Sequence, residues 1–260
     1  MNITYLNPDF DYSLKSVMLF QDDETTSFWS DVLYYFYPKL DQEYASKLNR
    51  EELNLYIEDI LKTYYLEAES EIENKVISYQ NHWNKYHNQI QEAFSDTFDI
   101  DVSNLFNDIK ANITLNPIAP RFLEEHCFDL FYKNSDAGAL GTSLHELCHF
   151  VWFYIWNDLF KDSYQEYESQ SLKWILSEMV VETLLSDERL SNINPYYPRE
   201  NGGCIYPYFF DMKVNDCLIL DTLNDIYANN NIKDFMLKSY EYCLQNEKQI
   251  RKHIESSENQ

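Results

Sequence analysis

From residue 41 to residue 95 the chain contains neither glycine nor proline, and the whole of it holds 4 glycines and 7 prolines in 260 residues. Proline breaks a helix interior and glycine weakens it more than any other residue, so a stretch of this length without either favours helix over a turn-rich architecture. Within it Leu53, Tyr56, Ile57, Ile60, Leu61 and Tyr64 recur at three and four, as do Ile72, Val76, Tyr79, Trp83, Tyr86 and Ile90. That spacing predicts one long amphipathic helix or two or three shorter ones, with the acids facing solvent. Phe28, Trp29, Val32, Leu33, Phe36 and Tyr37 predict a further helix, which Pro38 ends. A different pattern starts near residue 111. Residues 112–117 and 127–132 read as strands, and residues 2–8 echo the first of these, making them a candidate for the same sheet. Helices resume near Asp211 and run to about Ile254. The expected class is α+β, predominantly helical, with a mainly helical region over 1–110 and a second region over 111–260 that can share one compact domain with it.

Charge narrows the function more than the fold. With 44 acidic residues against 20 Lys and Arg, the formal net charge is −24. A phosphate backbone or an anionic bilayer is repelled by such a chain, so neither nucleic acid nor membrane is expected as a partner. There is no apolar run long enough for a membrane span, and the first residues lack the basic-then-apolar pattern of a secretory signal. Five cysteines, an odd number without a C-x-x-C pair, read as reduced thiols, and a cytoplasmic location is the expectation.

One helix-length apolar run is interrupted only by His145-Glu146-Leu147-Cys148-His149; no other charge lies between Asp136 and Asp158. Residues four apart share a helix face, so both imidazoles can reach one ion, with Glu146 leaning toward water held on it. This H-E-x-x-H pattern is that of zinc hydrolases, metallopeptidases above all. Burying two His and a Glu in apolar surroundings is costly unless they are paired or bound to metal. The competing reading is a helix with two buried, hydrogen-bonded His and no metal. A catalytic zinc takes three protein ligands and keeps a fourth position open. The metzincin arrangement is excluded, because Trp152 and Ile155 stand where its Gly and third His belong, and His253 near the polar tail is a poor ligand candidate. The apolar helical run 172–185 offers Glu178 and Glu182, four apart and on one face. A solvated pair of acids is the alternative there.

Over roughly residues 112–187 the chain resembles the gluzincin-like zinc metallopeptidases. Thr142 before the motif, uncharged Leu147 and Cys148 within it, and apolar Phe150 and Val151 after it comply with the zincin signature. Ser177-Glu178, with Glu182 four further on, resembles the gluzincin Asn-Glu-x-x-x-Asp element, with Ser in place of Asn and Glu in place of Asp. The resemblance implies a Zn2+ cofactor on His145, His149 and Glu178, with Glu182 holding a ligand His from behind; the other assignment makes Glu182 the ligand. It implies Glu146 as general base, and a Tyr beyond the third ligand as donor to the oxyanion: Tyr206 or Tyr208, with Tyr196 and Tyr197 as rivals. It also implies a zincin-like fold, with a small sheet beside the active-site helix and an extra N-terminal helical region. A peptide or protein substrate would then lie along an edge strand at 127–132. The expected activity is zinc-dependent peptide-bond hydrolysis. The alternatives are a zincin-like metal-binding scaffold that cleaves nothing, and a metal-free interaction protein built on the long acidic helices.

Overall fold

The computed structural model describes residues 1–19, 27–165, 167–195 and 204–258. In chain order its elements are β1 (Ile3–Leu6), α1 (Phe10–Met18), α2 (Ser27–Phe36), α3 (Gln42–Ala45), α4 (Arg50–Thr97), β2 (Ile109–Thr114), β3 (Arg121–Phe122) and β4 (Cys127–Phe131). There follow α5 (Asp136–Phe160), α6 (Leu172–Ser186), α7 (Glu188–Ser191), a 3-10 turn at Pro207–Phe209, β5 (Lys213–Val214), β6 (Cys217–Leu218), α8 (Ile219–Ala228) and α9 (Ile232–Glu258). The fold is α+β and mainly helical. Among the described residues no helix is long and apolar enough to cross a membrane.

The stretch without glycine or proline forms one helix of 48 residues, α4, about 72 Å long at the usual rise. Asn49 starts it. Its side chain accepts from the Glu52 backbone N–H, while the Glu52 carboxylate accepts from the Asn49 N–H, so two otherwise unpaired donors are satisfied reciprocally. Ile57, Leu61, Ala68, Ile72, Tyr79, Trp83, Ile90 and Phe94 are buried along it, two interleaved series that each step by eleven residues. Eleven residues make three turns at 3.67 per turn, close to the 3.6 of a straight helix, so this stripe winds only slowly around the axis. One unbroken helix, rather than two or three, can therefore keep a single face on the core.

The four-stranded sheet has the order β1-β2-β4-β3. β1, β2 and β4 run parallel, with Tyr5 opposite Ala111 and Ala111 opposite Phe128, and β3 pairs antiparallel with the start of β4. The N-terminal echo thus lies beside the strand it resembles. A boundary at residue 110 falls inside β2, and one hydrophobic core contains residues from both sides of it. The strand at 127–132 is an interior strand, not the expected edge. β3 covers its outer side, and the Pro120 carbonyl accepts from the Asp129 N–H at 2.9 Å. The cause is a tight reversal between Leu123 and His126, whose φ is 50°, which folds Arg121–Phe122 back as the true edge.

Side chains alternate across a sheet. Tyr5 points to α4 and α5, while Asn112 and Asp129, which pair with each other one register position on, face α1. There the Tyr12 hydroxyl donates to Asp129 Oδ1 at 2.9 Å, the Ser16 hydroxyl donates to Asp129 Oδ2, and Asn112 Nδ2 donates to the Tyr12 oxygen at 2.7 Å. At the C-terminal end, the helix expected from Asp211 begins only at Ile219. Asn215 and Asp216 have φ of 51° and 66° and make the two-residue turn of the β5–β6 hairpin. Asn and Asp tolerate that left-handed region better than other residues with a Cβ.

Candidate metal centre

α5 is pinned before its motif begins. Ser135 caps the first turn by accepting from the Gly138 N–H at 3.0 Å. α4 grips the same end: the Tyr79 hydroxyl and the Lys75 ammonium each donate to the Asn134 carbonyl at 2.7 Å, and the Ser78 hydroxyl donates to Asp136 at 2.8 Å. Further along, Tyr5 of β1 and buried Ser143 of α5 share a hydrogen bond of 2.9 Å. These contacts fix the rotation of α5, and with it the face on which the motif lies. That face meets α6, in which every residue except Lys173 and Ser186 is buried.

Nε2 of His145 and Nε2 of His149 lie 3.1 Å apart. From α6, Glu178 brings Oε1 to 3.6 Å from His149 Nε2 and Oε2 to 3.9 Å from His145 Nε2. Glu146 Oε1 is 4.0 Å from His145 Nε2. His145, Glu146 and His149 offer ligand atoms all within 4.8 Å of one another. A tetrahedral zinc at ordinary bond lengths holds two imidazole nitrogens about 3.3 Å apart, and a nitrogen and a carboxylate oxygen at a similar distance. The imidazole pair already has that spacing, and Glu178 stands a few tenths of an ångström outside it. The donor set, two imidazoles and a carboxylate, is one that zinc takes in hydrolytic sites.

The protonation of the rings suits a cation. Burial, then the Arg121 guanidinium, pushes His145 down to about 3, against a smaller upward pull from its hydrogen bond to the Cys204 backbone. Burial first, then Arg121 and His145, holds His149 well below the ordinary imidazole range. Both are neutral at neutral pH, the form that binds metal. Nδ1 of His149 is buried with no hydrogen-bond partner. With its proton there, His149 turns an Nε2 lone pair toward His145, as a ligand must; with the proton on Nε2, a bare Nδ1 lone pair is buried instead. His149 is wholly enclosed, whereas the His145 side chain keeps 15% of its exposure, so solvent reaches the pair from the His145 side.

Glu182 is buried one turn further along α6. It was expected to hold a ligand His, yet the remote nitrogen of His149 is unpaired, so that hold is not made on this ring. The four-residue interval displaces Glu182 about 6 Å along the helix axis from Glu178. The segment after α7 supplies Cys204, whose backbone meets His145, and Tyr206, whose ring packs edge-on against Trp174 of α6 and stacks on Tyr208. Burial, then the charge of Glu178, raises the Tyr206 phenol far above its ordinary value, with Glu146 adding to the effect and Arg121 opposing it. Tyr206 therefore stays a protonated donor within electrostatic reach of the site. The backbone carbonyl of Tyr208 is 2.9 Å from His253 Nε2, and Asp211 Oδ1 is 3.1 Å from the same nitrogen, so His253 is engaged with the segment around Tyr208. Tyr196 and Tyr197 lie outside the described residues.

The motif pattern gave no hint of Arg121. From the edge strand β3 its Nη1 donates to Glu146 Oε2 at 3.0 Å and its Nη2 to Glu178 Oε1 at 3.4 Å, with all three side chains almost fully buried. A signal for it did exist: between Lys110 and Glu124 it is the only charged residue. No family model, curated protein or solved structure matches the chain.

Proposed function

We propose that this chain is a zinc-dependent peptidase whose ligands are His145, His149 and Glu178 and whose general base is Glu146, on a zincin-like arrangement of α5 and α6. The observation that carries the reading is the convergence, from two separate helices, of two neutral imidazoles 3.1 Å apart and a buried carboxylate beside both. Zinc held there supplies a Lewis acid for a peptide carbonyl and a water acidified toward neutral pH. Arg121 fixes Glu146 through Oε2, which leaves Oε1 toward His145 and the solvent side, where it accepts the proton of the attacking water and passes it to the leaving amine. Tyr206, held protonated, is the donor for charge developing on the carbonyl oxygen. A peptide or protein is the substrate class of this reading, and an acidic chain of this kind favours basic ones.

A second reading, a metal-binding scaffold without hydrolysis, draws on one specific observation: Arg121 Nη1 lies 3.0 Å from Glu146 Oε2, so this buried carboxylate already serves as an ion-pair partner. Glu146→Gln separates the two. The peptidase reading expects unchanged zinc content, by elemental analysis, and peptide hydrolysis reduced by about 10²–10⁴-fold. Zinc retained with no difference between the two proteins across a peptide library favours the scaffold, and purified protein that takes up no zinc removes both.

A further inference from the structure

Arg121 and the metal seek the same oxygen. Glu178 Oε1, which stands 3.6 Å from His149 Nε2 and so points at the ion position, is also the atom that Arg121 Nη2 reaches at 3.4 Å. Glu146 and Glu178 are both almost fully buried, and two enclosed carboxylates need a counter-charge. Without a metal Arg121 reaches both acids, through Nη1 to Glu146 and Nη2 to Glu178. With a divalent cation on the three ligands, the local charge turns positive and the guanidinium faces a like charge across Glu178.

We infer that Arg121 is a resident counter-cation that competes with the metal for Glu178, so that it holds the metal-free site together and weakens metal binding. This rests on the zinc-site reading above and adds to it a residue that sets how readily the site loads. Its place on β3 matters. From the sheet edge Arg121 reaches Glu146 Oε2 with Nη1 and Glu178 Oε1 with Nη2, so the two acids are held by different nitrogens.

The test is zinc affinity by competition with a chromophoric chelator, on the full chain, for wild type, Arg121→Lys, Arg121→Gln, Glu146→Gln and the double variant Arg121→Gln/Glu146→Gln. The double variant removes one buried acid along with the cation, and so keeps the comparison available where Arg121→Gln alone fails to fold. The expected result is zinc bound about tenfold or more tightly by the double variant than by Glu146→Gln, with Arg121→Lys close to wild type. The metal-free double variant should also gain more in Tm on zinc addition than Glu146→Gln does. Equal or weaker binding by the double variant overturns the inference while leaving the zinc site standing. Absence of zinc binding in wild type and every variant overturns the zinc-site reading itself, and the inference with it.

Discussion

Two buried acids, Glu178 and Glu182, stand four residues apart on one helix. Glu178 meets both imidazoles and Arg121, and Nδ1 of His149 has no hydrogen-bond partner, so neither acid holds that nitrogen. Glu178→Gln is therefore expected to lower zinc affinity by about a hundredfold or more, and Glu182→Gln by no more than about tenfold; competition titration that ranks them the other way makes Glu182 the ligand. Asp129 carries a second residue-level consequence. Burial raises its carboxyl above the ordinary value of 3.8, against downward pulls from Ser16, Tyr12 and Asn112. A raised folded-state value means the fold holds the proton more tightly than the unfolded chain does. The contribution is then full below about pH 4 and declines as pH rises through the folded value. The Tm difference between Asp129→Asn and wild type should move in favour of the variant from about pH 4 to pH 7. Parallel profiles would show that the three donors cancel burial, and a shift toward wild type that they outweigh it.

At the scale of elements, α4 is the frame on which the site is built. Its buried stripe anchors the core, and its Tyr79, Lys75 and Ser78 hold the start of α5. Ile72 is fully buried in the stripe, and Ile77, on the same helix, is 62% exposed. Ile72→Ala should cost about 2–5 kcal/mol of unfolding free energy in urea melts, and Ile77→Ala no more than about 0.5 kcal/mol. Similar costs at both sites would mean that Ile77 is covered in solution by something packed on the outer face of α4. The periodicity at three and four made this element legible as helix, but the choice between one helix and several needed the eleven-residue recurrence, which shows only once burial is known. β3 was illegible for a related reason: two residues carry no period, and only pairing with β4 makes them a strand.

For the molecule as a whole, one core spans the chain from β1 to α9, and the sheet ties the first residues to the strands before the motif. The charge of −24 is spread over an outside dominated by acids, and their mutual repulsion opposes the compact state. Salt screens such repulsion within about 10 Å at 0.1 M. Raising sodium chloride from low concentration to about 0.5 M should raise the Tm of the metal-free protein by a few degrees, read by calorimetry. A fall in Tm would place more of the stability in exposed ion pairs such as Lys39–Glu67 than in relief of repulsion.

Local chemistry was enough to determine the helical class, helix over the stretch without glycine or proline, strands before the motif, and the placing of His145, Glu146 and His149 on one turn of helix, because each depends on spacings of a few residues. The tertiary structure alone decided that β4 is interior, that Glu178 stands beside both imidazoles, and above all that Arg121 reaches Glu146 and Glu178 across intervals of 25 and 57 residues. Contacts of that span follow from how α5, α6 and the edge of the sheet pack together. No local period records the position where two helices and a strand end meet.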